Sequence, residues 1–285
     1  MFDETPLPSR IKSYIAWRNR YTSYTGKVMG FPFDLLKEEM GMKRLPSGRE
    51  WKFVHEGVCP ICYGSDADQV VMEPGTLEQV YCLCSTLDWI LGVDNKYKDI
   101  RTPVQPAYLA ELQFPKSMTD KGIISVTEAA RSTEKFIKNP DHWMLMVGPR
   151  GCGKTMMLRT IVTSFWPIAV YINAKSLEDL SFKFLKNNDM DALNRMLEFA
   201  PILIIDDLGQ EYGGKFIRTV IDGVVDARYG LYKQRPLVVA SNENVDVLRE
   251  YIPRAGDRIT DLSVVNIVRN NAPSFRQLMP NERAK

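Results

Sequence analysis

The sequence predicts an α/β fold, a parallel β-sheet with crossover helices, preceded by a small cysteine-bearing module. Three observations predict it. After about residue 125, short apolar runs alternate with helical stretches, the order expected of parallel strands joined by helices. One apolar run, Trp143-Met-Leu-Met-Val147, passes through Gly-Pro-Arg-Gly-Cys-Gly into Lys154-Thr155 and a helical segment. Four of the five cysteines fall in two short pairs, Cys59-Pro-Ile-Cys62 and Cys82-Leu-Cys84.

Composition sets the outer bounds. A chain of 285 residues that is 45 % hydrophobic holds one large core and a smaller module. The net charge of +2 imposes no overall field on a partner. No run of 18 apolar residues occurs, and the first residues lack a basic segment followed by an apolar one. A cytoplasmic protein without a membrane span is expected. In that compartment paired cysteines point to metal rather than to disulfides.

Residues 1–58 are basic and aromatic. Between Arg10 and Lys52 there are ten Lys/Arg and four Asp/Glu, interleaved with Tyr14, Trp17, Tyr21, Tyr24, Phe31, Phe33 and Trp51. Such a mixture serves single-stranded nucleic acid, or it forms an amphipathic helix whose rings pack inside the module or on a partner. The spacing of Ile11, Tyr14, Ile15 and Arg18 favours the packed helix. Residues 59–95 contain six acidic residues and no Lys or Arg, so they are expected to dock protein rather than phosphate backbones. The two cysteine pairs resemble a Cys₄ zinc site closed to solvent, with His55 near enough to replace one ligand. The second pair is C-x-C, shorter than the usual knuckle.

The expected domain boundaries are 1–95 for the docking and zinc module, 96–125 for a proline-punctuated linker and 126–285 for the α/β domain. Residues 126–138 read as a helix capped by Ser125, with Glu128 three residues on. Strands are expected at 144–147, 168–172, 202–205, 237–240 and 264–268. Helices are expected at 155–165, 176–186, 190–198, 216–228 and 245–251.

The chemistry sits in the turns. Gly148, Gly153, Lys154 and Thr155 fill the G-x-x-x-x-G-K-T pattern. Glycines let the backbone N–H groups of Gly148, Pro149-Arg150-Gly151-Cys152 and Gly153 curl around a phosphate chain, Pro149 supplying none. Lys154 would reach the β/γ-phosphates and Thr155 would ligate Mg²⁺. The apolar run from Pro201 ends in Asp206-Asp207. Asp206 would hold Mg²⁺, and Asp207 would orient or deprotonate the attacking water. Asn242, after another apolar run, would hold that water or the γ-phosphate, or cap the next helix. Arg258, or else Arg254, is the candidate to reach a neighbouring subunit's nucleotide. Lys215, Phe216 and Arg218 would meet single-stranded DNA, or simply begin a helix.

In this order the motifs resemble an AAA+ ATPase, and more narrowly the DnaC/DnaI-type helicase loaders and the related IstB transposition helpers. The likeness covers about residues 125–280 and includes Val224-Val-Asp-Ala-Arg-Tyr-Gly and Lys233-Gln-Arg-Pro236. It implies ATP and Mg²⁺ as cofactors, Lys154 and Thr155 as their ligands, Asp206 and Asp207 as the second acidic motif, Asn242 as sensor and Arg258 as arginine finger. Arg276 would be a late nucleotide-sensing arginine. About 25 residues follow Thr260, so a full C-terminal lid is not expected. Asp207 stands where Glu is commoner, implying slow hydrolysis.

The resemblance implies a loader that grips a DnaB-type replicative helicase through its N-terminal zinc module. It would bind single-stranded DNA and ATP through its ATPase domain, assemble as a homo-oligomer on ATP, and suit a bacterial or bacteriophage setting. The alternatives are an IstB-like helper that recruits a transposase, and an adaptor that uses ATP only for folding.

Overall fold

The computed structural model describes residues 7–22, 59, 61–62, 70–72, 78–209 and 214–277. Expectations placed on Tyr24, Phe31, Phe33, Trp51 and His55 lie outside them. Contacts divide the chain into two compact units, Met1–Asp99 with Phe165–Ile168, and Ile100–Ser164 with Ala169–Lys285. No helix among the described residues is long and apolar enough to cross a membrane.

In the first unit, helix α1 (Leu7–Thr22) packs on a two-stranded antiparallel ribbon, β1 (Val70–Met72) and β2 (Gln79–Tyr81). Arg10, Tyr14, Trp17 and Arg18 of α1 are used internally. The Trp17 indole donates to Tyr81 O at 2.8 Å, and the Arg10 guanidinium lies 3.8 Å over the Tyr81 ring. Tyr14, Trp17, Arg10 and Arg18 are all buried. Helix α2 (Leu83–Tyr97) starts within the second cysteine pair. Leu83, Leu87, Ile90, Val93 and Tyr97 form its buried stripe, the spacing of an amphipathic helix.

The second unit contains the parallel sheet. Its strands are β3 (Trp143–Val147), β4 (Ala169–Asn173), β5 (Ile202–Leu208), β6 (Leu237–Ser241) and β7 (Val265–Arg269). Their order across the sheet is β4-β5-β6-β3-β7, all parallel. β3 and β6 are buried at every position, which is why they read as unbroken apolar runs rather than alternating ones. The helices are α3 (Asp120–Lys138), α4 (Lys154–Ser164), α5 (Ala174–Lys186), α6 (Met190–Glu198), α7 (Lys215–Tyr229), α8 (Val245–Tyr251) and α9 (Pro253–Ile259).

Two local differences from the sequence reading have clear causes. Helix α3 begins six residues before 126, because the Thr119 hydroxyl accepts from Gly122 N–H and caps it there. Ser125, the expected cap, lies inside the helix and accepts from Asn271 N–H at 2.8 Å, tying α3 to the chain beyond β7. The stretch 253–259, which reads only as constrained, is helix α9. It opens with Pro253, whose missing N–H costs nothing in a first turn.

Arg228 on α7 is fully buried. Its guanidinium donates to Leu197 O, Glu198 O and Ala200 O at 2.8, 3.0 and 3.0 Å, and to Pro236 O at 2.7 Å. Carbonyls at and beyond the end of α6 lack intrahelical donors. One cation satisfies three of them and fixes the segment that enters β6.

Candidate nucleotide-binding site

The loop after β3 is shaped by glycine where nothing else fits. Gly151 and Gly153 have φ of +82° and +101°, a region costly for other residues. At Gly148 a Cβ would stand 2.0 Å from Asn270 O, so glycine there allows the close approach of the chain leaving β7. Asn270 pins the loop by donating its N–H to Val147 O and its side-chain amide to Cys152 O, each at 2.8 Å. Cys152 is fully buried, and burial pushes its thiol pKa up. The loop ends at the first turn of α4, whose free N–H groups and positive dipole end suit phosphate.

Strand order places the third motif. β6 lies between the loop strand β3 and the acidic strand β5, so the residue after β6 stands between the loop and the acids. That residue is Asn242. Lys154 Nζ donates to Asn242 Oδ1 at 2.8 Å and to Gly148 O and Pro149 O at 2.7 and 2.9 Å. Asn242 Nδ2 donates to Asp207 Oδ1 at 3.3 Å. The helix that follows is capped by Asn244, whose side chain accepts from Val247 N–H. Asn242 is therefore not the cap, and its amide is left to face Lys154 and Asp207.

The two acids have different surroundings. Asp206 is 1 % exposed and accepts from the Tyr171 hydroxyl at 2.7 Å and from the Thr155 hydroxyl. Burial pushes its carboxyl pKa up, and the Tyr171 hydrogen bond opposes that shift. Burial and the neighbouring Asp206 raise the Tyr171 hydroxyl. Asp207 has φ +57° at a register shift between β5 and β6. Asp tolerates this conformation better than most side chains. Its carboxylate lies between two amides, Asn242 on one side and Asn173 Nδ2, at 3.3 Å, on the other.

These groups open on a cleft of about 860 Å³. Arg150, Gly151, Gly153, Lys154, Thr155, Asp207, Asn242 and Arg276 line it. Arg276 reaches it because Phe275 N–H donates to Gly151 O at 2.9 Å. The other wall comes from the segment 100–119, through Ala107 and Glu111, Leu112, Gln113, Phe114 and Pro115.

Arg258 does not line the cleft. It and Arg254 both pair with Asp226 of α7. Lys215 and Phe216 begin α7; Phe216 packs 5.6 Å from Phe182 of α5, and Arg218 lies 4.2 Å over the Tyr251 ring. Asn173, Tyr171 and the wall 107–115 escape the sequence reading. Asn173 had a signal, being a polar residue after the apolar run 168–172, as Asn242 is after 236–240.

In the first unit the Sγ atoms of Cys59, Cys62, Cys82 and Cys84 all lie within 4.8 Å of one another and are buried. Cys59–Cys82, Cys62–Cys84 and Cys82–Cys84 are separated by 3.6, 3.4 and 3.6 Å. Four thiolates about 2.3 Å from one tetrahedral ion stand roughly 3.8 Å apart, so the donor set fits zinc. Crowding makes the thiols unlike one another. Hydrogen bonds from Cys82 and Cys84 pull the Cys59 thiol down, the contact with Cys59 pushes Cys82 up, and contacts with Cys59 and Cys82 raise Cys84.

Residues 144–262 match the family described as ATPase family associated with various cellular activities (AAA). The parallel sheet and its crossover helices over those residues have the AAA-type α/β fold. The candidate nucleotide cleft is the one built by the loop, the acidic strand end and Asn242. No curated protein matches the sequence. Among solved structures the chain is similar to the DnaC helicase loader, at 17 % identity and a TM-score of 0.44 over 56 % of this chain and 94 % of that one. DnaI is similar at 20 % identity and a TM-score of 0.44, over 57 % and 90 % of the two chains. Domain III of the Thermotoga maritima replication initiation protein DnaA is similar at 17 % identity and a TM-score of 0.47, over 59 % and 69 %.

Proposed function

We propose that the protein is an ATP-dependent loader of a replicative, DnaB-type helicase. The observation that carries this reading is the buried cluster of Cys59, Cys62, Cys82 and Cys84 in a unit of its own ahead of an AAA ATPase. The DnaI-type loaders have such a module, and IstB-type helpers are not expected to. Zinc held by the four thiolates would stand in for core that so small a unit lacks.

In the ATPase, the loop N–H groups and Lys154 would hold the phosphates, with Arg150 and Arg276 at the cleft wall. Thr155 and Asp206 would hold Mg²⁺, which would neutralise charge on the β- and γ-phosphates. Asp207, kept between Asn242 and Asn173, would orient the attacking water. Lys154 now rests on Gly148 O, Pro149 O and Asn242 Oδ1, so phosphates arriving at the loop compete for it and free the Asn242 amide. Arg258 is outside the cleft of its own subunit, which suits an arginine supplied to the next subunit in an ATP-bound homo-oligomer. The Phe182–Phe216 ring pair, flanked by exposed Lys183, Lys186 and Lys215, offers single-stranded DNA a stacking surface with cations.

The test is capture of purified replicative helicase by the intact chain and by a Cys82→Ser/Cys84→Ser variant, with and without ATP and single-stranded DNA. Capture by the intact chain and loss in the variant support the loader. No capture under any condition, with capture of a transposase instead, moves the assignment to a transposition helper.

A further inference from the structure

We propose that Thr102 is a positioning residue for ATP hydrolysis, acting through β4 on the two side chains that hold the acidic pair. The proposal rests on the roles given to Asp206 and Asp207 above. β4 is an edge strand, and β5 pairs with only one of its sides. On the other side its N–H and C=O groups need partners from elsewhere. Thr102 supplies two of them. Its N–H donates to Tyr171 O at 2.8 Å, and its hydroxyl oxygen accepts from Asn173 N–H at 3.2 Å.

The residues it grips are the two whose side chains reach the acids. The Tyr171 hydroxyl donates to Asp206 at 2.7 Å, and the Asn173 amide donates to Asp207 at 3.3 Å. A single residue of the connecting segment thus fixes the backbone from which both acid partners extend. Any residue but proline at 102 would supply the N–H. Accepting from Asn173 takes a side-chain oxygen at this place, and threonine supplies it from a stiff, β-branched side chain. The same segment is tied again where Ala107 N–H donates to the Thr163 hydroxyl at 3.1 Å, and it goes on to wall the cleft at Glu111–Pro115. The brace on the acids and the wall of the cleft therefore belong to one continuous stretch of chain.

The experiment compares the intact chain with Thr102→Val, which keeps the shape and loses the acceptor, and with Thr102→Ser, which restores it. Steady-state hydrolysis is measured against ATP concentration, and amide exchange across 169–173 is measured without nucleotide. Thr102→Val is expected to lower kcat about tenfold with KM changed by less than about twofold, and to speed exchange of the Asn173 amide. Thr102→Ser returns both toward the intact chain. An unchanged kcat in Thr102→Val overturns the proposal. So does a joint loss of kcat, nucleotide affinity and thermal stability that serine does not rescue, because that pattern belongs to simple closure of the sheet edge. If the intact chain hydrolyses no ATP, the roles of Asp206 and Asp207 fail first and this proposal fails with them.

Discussion

Lys154 and Asn242, 88 residues apart in sequence, share a hydrogen bond of 2.8 Å, and Asn242 passes the contact on to Asp207 at 3.3 Å. The lysine proposed to bind phosphate and the acid proposed to orient water are therefore linked by one side-chain amide. Asn242→Ala cuts that link without touching the loop. ATP affinity is expected to stay within about threefold, because the loop and Lys154 remain. Turnover is expected to fall by about 100-fold, the usual cost of losing one preorganised polar group at a reacting centre. Fluorescent-nucleotide titration and steady-state hydrolysis separate the two. A large loss of affinity with turnover intact would assign Asn242 to ground-state binding instead.

Arg228 predicts a stability effect with no catalytic part. Arg228→Met keeps much of the volume and leaves the carbonyls of Leu197, Glu198, Ala200 and Pro236 without their donor. Buried carbonyls without partners cost about 1–3 kcal/mol each, though relaxation and water entry recover part of this. A net loss of about 3 kcal/mol is expected, which lowers the melting temperature by roughly 6–12 °C in a domain of this size. Nucleotide affinity of the folded fraction should not change. A shift below about 2 °C would mean that the four carbonyls find other partners.

The strand-end motifs were legible because buried parallel strands are unbroken apolar runs, and the first polar residues after them sit at the ligand edge of the sheet. Gly148–Thr155, Asp206-Asp207 and Asn242 all follow that rule. Asn173 follows it too, but only the pairing of β4 with β5 sets it beside the acids, opposite Asp206 with its side chain reaching Asp207. The role of 100–119 was hidden for the same reason. Its prolines read locally as a linker, but its contacts depend on β4 being an edge strand, a property of long-range pairing. Cap choice was not decided by residue type: Thr119 and Ser125 both suit an N-cap, and Ser125 is drawn into tertiary bonds beyond β7.

The cysteine cluster predicts about one equivalent of zinc per chain after gentle purification. Cys82→Ser/Cys84→Ser, or a strong chelator, should remove the metal and lower the melting transition of the first unit. ATP binding by the second unit should persist, because no cysteine of the cluster lines its cleft. Elemental analysis together with calorimetry checks this. A fully folded first unit without metal would identify the four thiols as core packing alone.

The ring pair on α5 and α7 predicts how single-stranded DNA binds. Phe182→Ala and Phe216→Ala should each weaken binding by about 1–3 kcal/mol, the range for a stacked base. Lys215→Ala should instead reduce the dependence of log K on log salt by about 0.7, the release expected for one phosphate contact on a single strand. Fluorescence anisotropy with an oligothymidine at several salt concentrations resolves the two effects. Equal, small losses in all three variants would place the DNA elsewhere on the domain.

Arg258 gives a prediction that mixing can decide. It pairs with Asp226 of its own α7 and lies outside its own cleft, so its action on ATP requires a neighbour. Arg258→Ala should bind nucleotide normally and lose turnover on the order of 10³-fold. Lys154→Ala should lose nucleotide binding while keeping its arginine. Neither variant turns over alone. In a mixture, a Lys154→Ala subunit presents Arg258 to the loaded cleft of an Arg258→Ala subunit, and part of the activity returns with a steep dependence on protein concentration. Absence of recovery at any ratio, with both variants folded, would make Arg258 a structural partner of Asp226 and leave the transition-state charge to a residue of the same subunit.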